Sequence, residues 1–317
     1  MMPCKNKKTT HIIMGLIVMY TFDFKSGASD LSMRLEYLML AVSIQSVLDE
    51  DVRREVQVHL YTNDETVERL ITKDFGDDTR VSLMDAANIQ AECSRDASFS
   101  CAGHARVKFL AARAGKDDDI LYLDNDTIIT KGGLARIRNR KTPTGCTVET
   151  WNLLRDWIVF HGTRDRDSVR RFYKKTFPEM NIARWGTFNN GVQYYPGNSK
   201  LSQQVAQNTA KYYDEITKGI GYLFTTDQTA YSLAMHGAGL HQSAFSGEEL
   251  NGQVPAVLHA YNAKRLYQFH LENSGIWIDE KPWRFKNVYS LIPRKHFIDI
   301  AKENDKRYGT GFRFPAM

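Results

Sequence analysis

The sequence is poor in the features that mark several protein classes. It has four cysteines in 317 residues, Cys4, Cys93, Cys101 and Cys146, and no C-x-x-C pair. Zinc sites and disulfide scaffolds are therefore not supported, and a reducing compartment is expected. No stretch approaches the roughly 20 apolar residues that a transmembrane helix needs. No G-x-G-x-x-G motif follows the first apolar run, which argues against a dinucleotide-binding oxidoreductase.

An excess of one charge is also nearly absent. Lys and Arg number 42 against 37 Asp and Glu, which gives a formal net charge of +5, and 42% of residues are hydrophobic. This positive excess is mild, but it can steer phosphates or sugar nucleotides towards the protein. A dedicated nucleic-acid binder usually carries a stronger and more clustered positive charge. The composition is that of an ordinary soluble globular protein.

The amino-terminal segment resembles a signal peptide in its basic and apolar regions but lacks a clean cleavage site. Lys5, Lys7 and Lys8 precede eight apolar residues at 12–19, and no small-residue cleavage site follows cleanly. Eight residues cannot span a bilayer, and a buried first β-strand explains the run fully. We therefore predict a soluble, non-secreted, cytoplasmic protein, located in the host cytoplasm if its source is a virus or a secreted effector.

Apolar periodicity predicts alternating strands and helices over the first 130 residues. Apolar residues recur at helical spacing over 31–48, and Val56, Val58 and Leu60 alternate with polar residues as in a half-buried strand. This order implies an α/β fold with a mainly parallel sheet flanked by helices. Residues 142–184 combine aromatic and basic residues with little strand pattern and are predicted to be helical. We expect one domain made of residues 1–140, a helical insertion at 141–187 and residues 188–317.

The clearest local signal is an apolar strand, residues 120–123, that ends at two carboxylates. Asp124 and Asp126 stand at i and i+2, and two acids on the same side of an extended chain can converge on one cation. Ligands of open α/β sheets collect at the carboxyl ends of strands, and Mg²⁺ and Mn²⁺ bind carboxylate and phosphate oxygens. The alternative is a solvated turn that merely ends the strand, because a bare D-x-D is common.

Four segments in order resemble glycosyltransferase family 8, which includes glycogenin and the bacterial lipopolysaccharide galactosyltransferases. The strand around Asp124 resembles the family's YLDxDxxV, and Phe188 to Val192 resembles FNSGV with Asn190 in place of Ser. Asp227 and Gln228 resemble a DQ pair that opens a helix, and residues 256–259 resemble the late strand whose His completes the metal site. The resemblance covers roughly residues 10–285 and implies a GT-A type nucleotide-diphospho-sugar transferase fold. It also implies that residues 1–140 form a nucleotide-sugar-binding half and residues 188–317 an acceptor half.

The same resemblance implies roles for individual residues. Asp124, Asp126 and His259 would hold Mn²⁺ or Mg²⁺, and Asn189, Asp227 and Gln228 would act on the donor sugar. Predicted contacts to the nucleotide or diphosphate fall on five residues: Arg106, Lys264, Tyr20, Asp23 and Asn125. Taken singly, an Asn-Gly pair is also a common turn and an Asp a common helix cap.

The sequence departs from the family pattern HFxGxxKPW at its late histidine. Lys264 follows His259, whereas Lys281-Pro282-Trp283 follows a second candidate, His270. We favour His259, because a preceding apolar strand would direct it to the carboxyl edge of the sheet. Its phosphate-binding partner would be Lys264, with Arg265 and Lys281 as the alternatives.

The predicted function is metal-dependent, retaining transfer of a hexose from a nucleotide diphosphate sugar to a hydroxyl of a glycan. UDP-glucose and UDP-galactose are the expected donors by resemblance. Two alternatives stay open. The acceptor could be a protein side chain or DNA, as for a bacterial effector or a viral enzyme, or the chain could be a non-catalytic nucleotide- or carbohydrate-binding module.

Overall fold

A computed structural model describes the following parts of the chain: residues 8–16, 40–41, 43–62, 65–85, 117–152, 166–181, 185–220, 226–246, 248–250 and 255–259. Eight β-strands are assigned within these parts: β1 (Thr10–Leu16), β2 (Val56–Thr62), β3 (Val81–Asp85), β4 (Asp119–Leu123), β5 (Thr127–Ile129), β6 (Thr144–Asn152), β7 (Gly186–Tyr195) and β8 (Val257–His259). The helices are α1 (Glu65–Phe75), α2 (Gly133–Arg138), α3 (Arg166–Thr176), α4 (Lys200–Ile220) and α5 (Thr226–Gly237), and residues 43–50 are also helical.

The strands form a six-stranded sheet and a two-stranded sheet. The larger has the order β3-β2-β1-β4-β7-β6, so crossover connections bring β4 beside β1 and β7 beside β4. β1 and β4 are parallel, with Thr10 opposite Asp119, whereas β6 and β7 are antiparallel. The smaller sheet pairs β5 with β8. The predicted α/β class with a mainly parallel central sheet is confirmed.

The chain divides into two compact units that interleave along the sequence. Unit 1 comprises Met1–Ile13, Asp85–Tyr122 and Arg140–Phe245, and unit 2 comprises Met14–Met84, Leu123–Asn139 and Ser246–Met317. The division into functional segments at 1–140, 141–187 and 188–317 stays a prediction.

The core of unit 1 is built by three helices and β7. α4 packs against α3 and α5, and α5 packs against β7. Val169 and Tyr173 of α3 and Tyr213 and Ile216 of α4 recur at i and i+4 or i and i+3, which places them on one face of each helix. These side chains are buried in one apolar cluster with Leu233 of α5.

In unit 2 the predicted alternation of β2 is confirmed. Val56, Val58 and Leu60 are buried, whereas Gln57 and His59 between them are partly exposed. A strand presents successive side chains to opposite faces, so this pattern fixes which face of β2 lies in the core.

The prediction of a helical segment at 142–184 is wrong at its beginning. β6 occupies Thr144–Asn152 and pairs with β7, while α3 supplies the helix further along. β6 contains four β-branched residues, which favour a strand: Thr144, Thr147, Val148 and Thr150. The helical prediction was based on the aromatic and basic residues of the segment and not on these. No helix among the parts of the chain named above is long and apolar enough to cross a membrane.

Candidate functional site

Asp124 and Asp126 lie on a tight turn between β4 and β5. The backbone N–H of Thr127 donates to the Asp124 carbonyl at 3.2 Å, and the Thr127 hydroxyl donates to the same oxygen at 2.7 Å. This corrects the predicted geometry, because the two acids converge through a turn and not along an extended chain. The turn is not the solvated alternative either, since Asn125 and Asp126 are each only 6% exposed.

The pairing of β5 with β8 brings His259 to this turn. The two strands are antiparallel, and His259 stands opposite Thr127, the residue after Asp126. His259 Nε2 lies 3.3 Å from Asp126 Oδ1 and 3.6 Å from Asp124 Oδ2. One potential ligand atom from each of the three residues lies within 4.8 Å of the other two. The predicted ligand set is thus brought together within unit 2.

The chemistry of this group fits a divalent cation. His259 is 5% exposed, and Asp126 Oδ1 is buried and accepts no hydrogen bond from any residue that the structure describes. A buried carboxylate oxygen without a hydrogen bond is costly, and a bound cation would compensate for it. Two carboxylates suit Mg²⁺ or Mn²⁺, and the imidazole favours Mn²⁺ of the two.

Polar side chains of the helical residues 43–50 hold the chain on the far side of the turn. Ser43 lies 3.2 Å from Thr127, oxygen to oxygen. Because the Thr127 proton is directed to Asp124, Ser43 is the donor of that bond. Ser46 accepts the N–H of Ile129 at 3.0 Å, and Glu50 accepts that of Gly132 at 2.6 Å. These supporting residues were not predicted, although their i, i+3, i+7 spacing marks one helix face.

The second predicted group lies in unit 1, where α5 begins beside β7. Asn190 Nδ2 donates to Asp227 Oδ2 at 2.8 Å, and both side chains are buried. Asn189 Oδ1 accepts the N–H of Gly191 at 3.0 Å, and the Asn189 side chain is partly exposed. Gln228 is partly exposed and follows Asp227 in the first turn of α5, where a helix favours negative charge.

β7 departs from regular pairing at this position. Gly145 of β6 pairs with Gln193, and Thr147 pairs with Asn189. The three residues 190–192 of β7 therefore stand opposite the single residue that separates Gly145 from Thr147 on β6. Irregular pairing of this kind redirects side chains and is common beside active sites. Asn190 is buried within this irregular stretch.

A cluster of three rings at the other end of α5 was not predicted. Trp185 stacks on His236 with ring centroids 4.8 Å apart, and the Nδ1 atoms of His236 and His241 lie 2.9 Å apart. His236 Nε2 donates to the Gly186 carbonyl at 2.7 Å, so its Nδ1 accepts from His241 in the neutral ring. Burial lowers the pKa of His236 to about 4. The hydrogen bond to Gly186 acts to raise this pKa, and the nearby His241 lowers it further.

Several predicted residues lie outside the described parts of the chain. Asn125 is described and is buried beside Asp126. The predictions outside are the nucleotide contacts Tyr20, Asp23, Arg106 and Lys264, and the alternatives Arg265, His270 and Lys281.

No protein-family model and no curated protein sequence matches the chain. Among solved structures, it is similar to the bifunctional glycosyltransferase WbbM (13% identity, 92% of this chain and 52% of that chain, TM-score 0.49). It is also similar to the galactosyltransferase LgtC in complex with donor and acceptor sugar analogues (12% identity, 92% of this chain and 95% of that chain, TM-score 0.44). A third similar structure is mouse xyloside xylosyltransferase 1 (13% identity, 77% of this chain and 87% of that chain, TM-score 0.43). This chain thus spans about half the length of WbbM. All three similar structures are of glycosyltransferases.

Proposed function

We propose that this protein is a metal-dependent, retaining glycosyltransferase. It transfers a hexose from a nucleotide diphosphate sugar, UDP-glucose or UDP-galactose, to a hydroxyl of a glycan or other acceptor. The observation that carries the proposal is the group of Asp124, Asp126 and His259, in which a buried carboxylate oxygen accepts no hydrogen bond from the part of the chain that the structure describes. Such a group meets the requirements of a cation that binds a diphosphate.

In this proposal Asp124, Asp126 and His259 hold Mn²⁺ or Mg²⁺. The bound cation supplies Lewis-acid stabilisation of the charge that develops on the leaving nucleotide. Asn189, Asp227 and Gln228 bind and orient the donor sugar. The residues proposed to contact the nucleotide and its diphosphate are Tyr20, Asp23, Arg106, Asn125 and Lys264.

The test is nucleotide release from a panel of nucleotide sugars, with Mn²⁺ or with EDTA. A transferase hydrolyses its own donor slowly without an acceptor, so we expect metal-dependent release from one donor. Asp126→Ala should fold and release nothing, whereas the control Asp77→Ala, at an exposed acid of unit 2, should match the wild type. Binding of a nucleotide sugar without any release would indicate a binding module. Undiminished release by Asp126→Ala would exclude the proposed metal ligands.

A second candidate concerns the acceptor, which would carry phosphate groups, as DNA does. α3 contains five basic residues and one acidic residue, and its apolar face, with Val169 and Tyr173, is buried. Its exposed basic residues are Arg170, Arg171, Lys174 and Lys175.

The salt dependence of DNA binding tests this candidate, because each phosphate contact contributes to the slope of affinity against salt. A double variant, Lys174→Ala with Lys175→Ala, should reduce that slope by about 2. Lys131→Ala, which removes an exposed charge of unit 2, should leave it unchanged. Absence of salt-dependent DNA binding by the wild type would remove this candidate and leave the transferase proposal intact.

A further inference from the structure

Asn190 stands where the resemblance has a serine, and its side chain is directed at an acid of the proposed site. The amide Nδ2 lies 2.8 Å from Asp227 Oδ2, with the two residues 5% and 7% exposed. An ionised carboxylate only accepts hydrogen bonds, so the amide nitrogen, not the amide oxygen, must face it. The donor and the acceptor are therefore fixed by chemistry.

The backbone around Asn190 holds this side chain in place. Gln193 Nε2 donates to the Asn190 carbonyl at 3.1 Å, and Tyr195 donates to Gln193 Oε1 at 2.7 Å. The first of these contacts spans the irregular stretch of β7, and the second lies just beyond it. All three residues are buried. The main chain of Asn190 is therefore fixed by Gln193, and its side-chain amide is left to contact Asp227.

The start of α5 is fixed to β7 as well. The Phe188 N–H donates to the Ser232 hydroxyl at 2.8 Å, and that hydroxyl donates to the Gln228 carbonyl at 2.7 Å. The first turn of α5 is thus linked to β7 in two ways. The first link is the Ser232 hydroxyl, which bonds both the Phe188 N–H and the Gln228 carbonyl, and the second is the Asn190–Asp227 bond. Only the second of these fixes a functional carboxylate.

We infer that Asn190 is a positioning residue that holds Asp227 for contact with the donor sugar, an inference that rests on the proposed transferase function. The amide occupies Oδ2 and fixes the rotation of the carboxylate, so that Oδ1 keeps one direction. A group held in its reactive geometry lowers the barrier of the chemical step more than it strengthens ground-state binding.

Asn190→Ala in the full-length protein tests this role through the steady-state kinetics of donor hydrolysis. We expect kcat to fall about 10- to 100-fold, the range for loss of a hydrogen bond to a charged group, with KM changed less than about threefold. Asn190→Ser retains a donor and should recover part of kcat. Asn190→Asp is isosteric but has no donor when ionised, so it should lose at least as much as Asn190→Ala. Asn181→Ala, at an exposed asparagine, should leave both constants unchanged.

A double-mutant cycle separates positioning from general stability. If Asn190 acts through Asp227, adding Asn190→Ala to Asp227→Ala should cause no further loss of kcat. Melting temperatures of all variants report on folding. Unchanged kcat in a folded Asn190→Ala protein, or fully additive losses in the cycle, would overturn the role of Asn190 alone. Absence of donor hydrolysis by the wild-type protein would overturn the proposed function and this role together.

Discussion

Gly133 begins α2 at a point where a β-carbon has no room. A Cβ added there would lie 2.1 Å from the carbonyl oxygen of Ala256, whereas real Cβ contacts do not fall below 3.0 Å. Gly133→Ala therefore requires α2 and Ala256 to separate by about 0.9 Å. The same oxygen accepts the N–H of Thr130 at 3.1 Å, and Ala256 immediately precedes β8, which carries His259.

Two effects of Gly133→Ala follow from this displacement. Overpacking against backbone costs about 1–3 kcal/mol, which urea unfolding measures. Functional groups must be held within about 0.5 Å, so a shift of β8 relative to β5 should move His259 out of position beside Asp126. We expect the affinity for Mn²⁺, measured by electron paramagnetic resonance of the free ion, to fall about 10- to 100-fold.

Gly132→Ala is the matched control, because it changes the adjacent residue without a collision. Gly132 has φ of +71°, and its chain neighbours aside, no atom of the residues that the structure describes lies within 4 Å of an added Cβ. The left-handed backbone should cost about 1–2 kcal/mol without displacing β8, so Mn²⁺ affinity should remain that of the wild type. If Gly133→Ala kept both wild-type stability and wild-type Mn²⁺ affinity, the account of how β8 is positioned would be refuted.

Other expectations concern hydrogen bonds and pH. Thr127→Val removes the hydroxyl that closes the turn and should weaken Mn²⁺ binding about tenfold, with recovery in Thr127→Ser; equal affinities would contradict this. Burial lowers the pKa of His236 to about 4, so wild-type stability should fall by up to about 3 kcal/mol from pH 6.5 to 4, whereas His236→Gln should lack that component in urea unfolding. The hydrogen bond from Arg80 lowers the pKa of Asp78 to about 2; Asp78→Asn should cost about 1 kcal/mol above pH 4 and progressively less as the pH falls through 2.

Elements with a strong local period were predictable from the sequence, and short ones were not. The alternation in β2 and the helical spacing of α4 each extend over enough residues to define a period, and the apolar run of β4 is typical of a strand buried on both faces. β5 has three residues and exists because β8 pairs with it, so its own sequence has no period to detect. α2 has six residues, fewer than a periodic pattern needs.

The ligand residues were predictable as a set, but the contact that joins them was not. Asp124 and Asp126 are close in sequence, and their spacing is itself a signal. His259 joins them through the pairing of two short strands that are distant in sequence, and the sequence alone left His259 and His270 as alternatives. The cost of bringing such segments together is met by contacts that no local pattern reveals, among them Thr130 with Ala256 and Ser46 with Ile129.

Asn190 shows why a motif can be located correctly while the role of one residue is missed. In a regular strand, neighbouring residues face opposite sides, and burial of one side identifies which residue faces the core. Residues 190–195 of β7 are all buried, so exposure does not separate the two faces there. Irregular pairing with β6 removes the remaining period of two. Only the packing of α5 against β7, in which Tyr231 and Ser232 contact Phe188, determines that Asn190 meets Asp227.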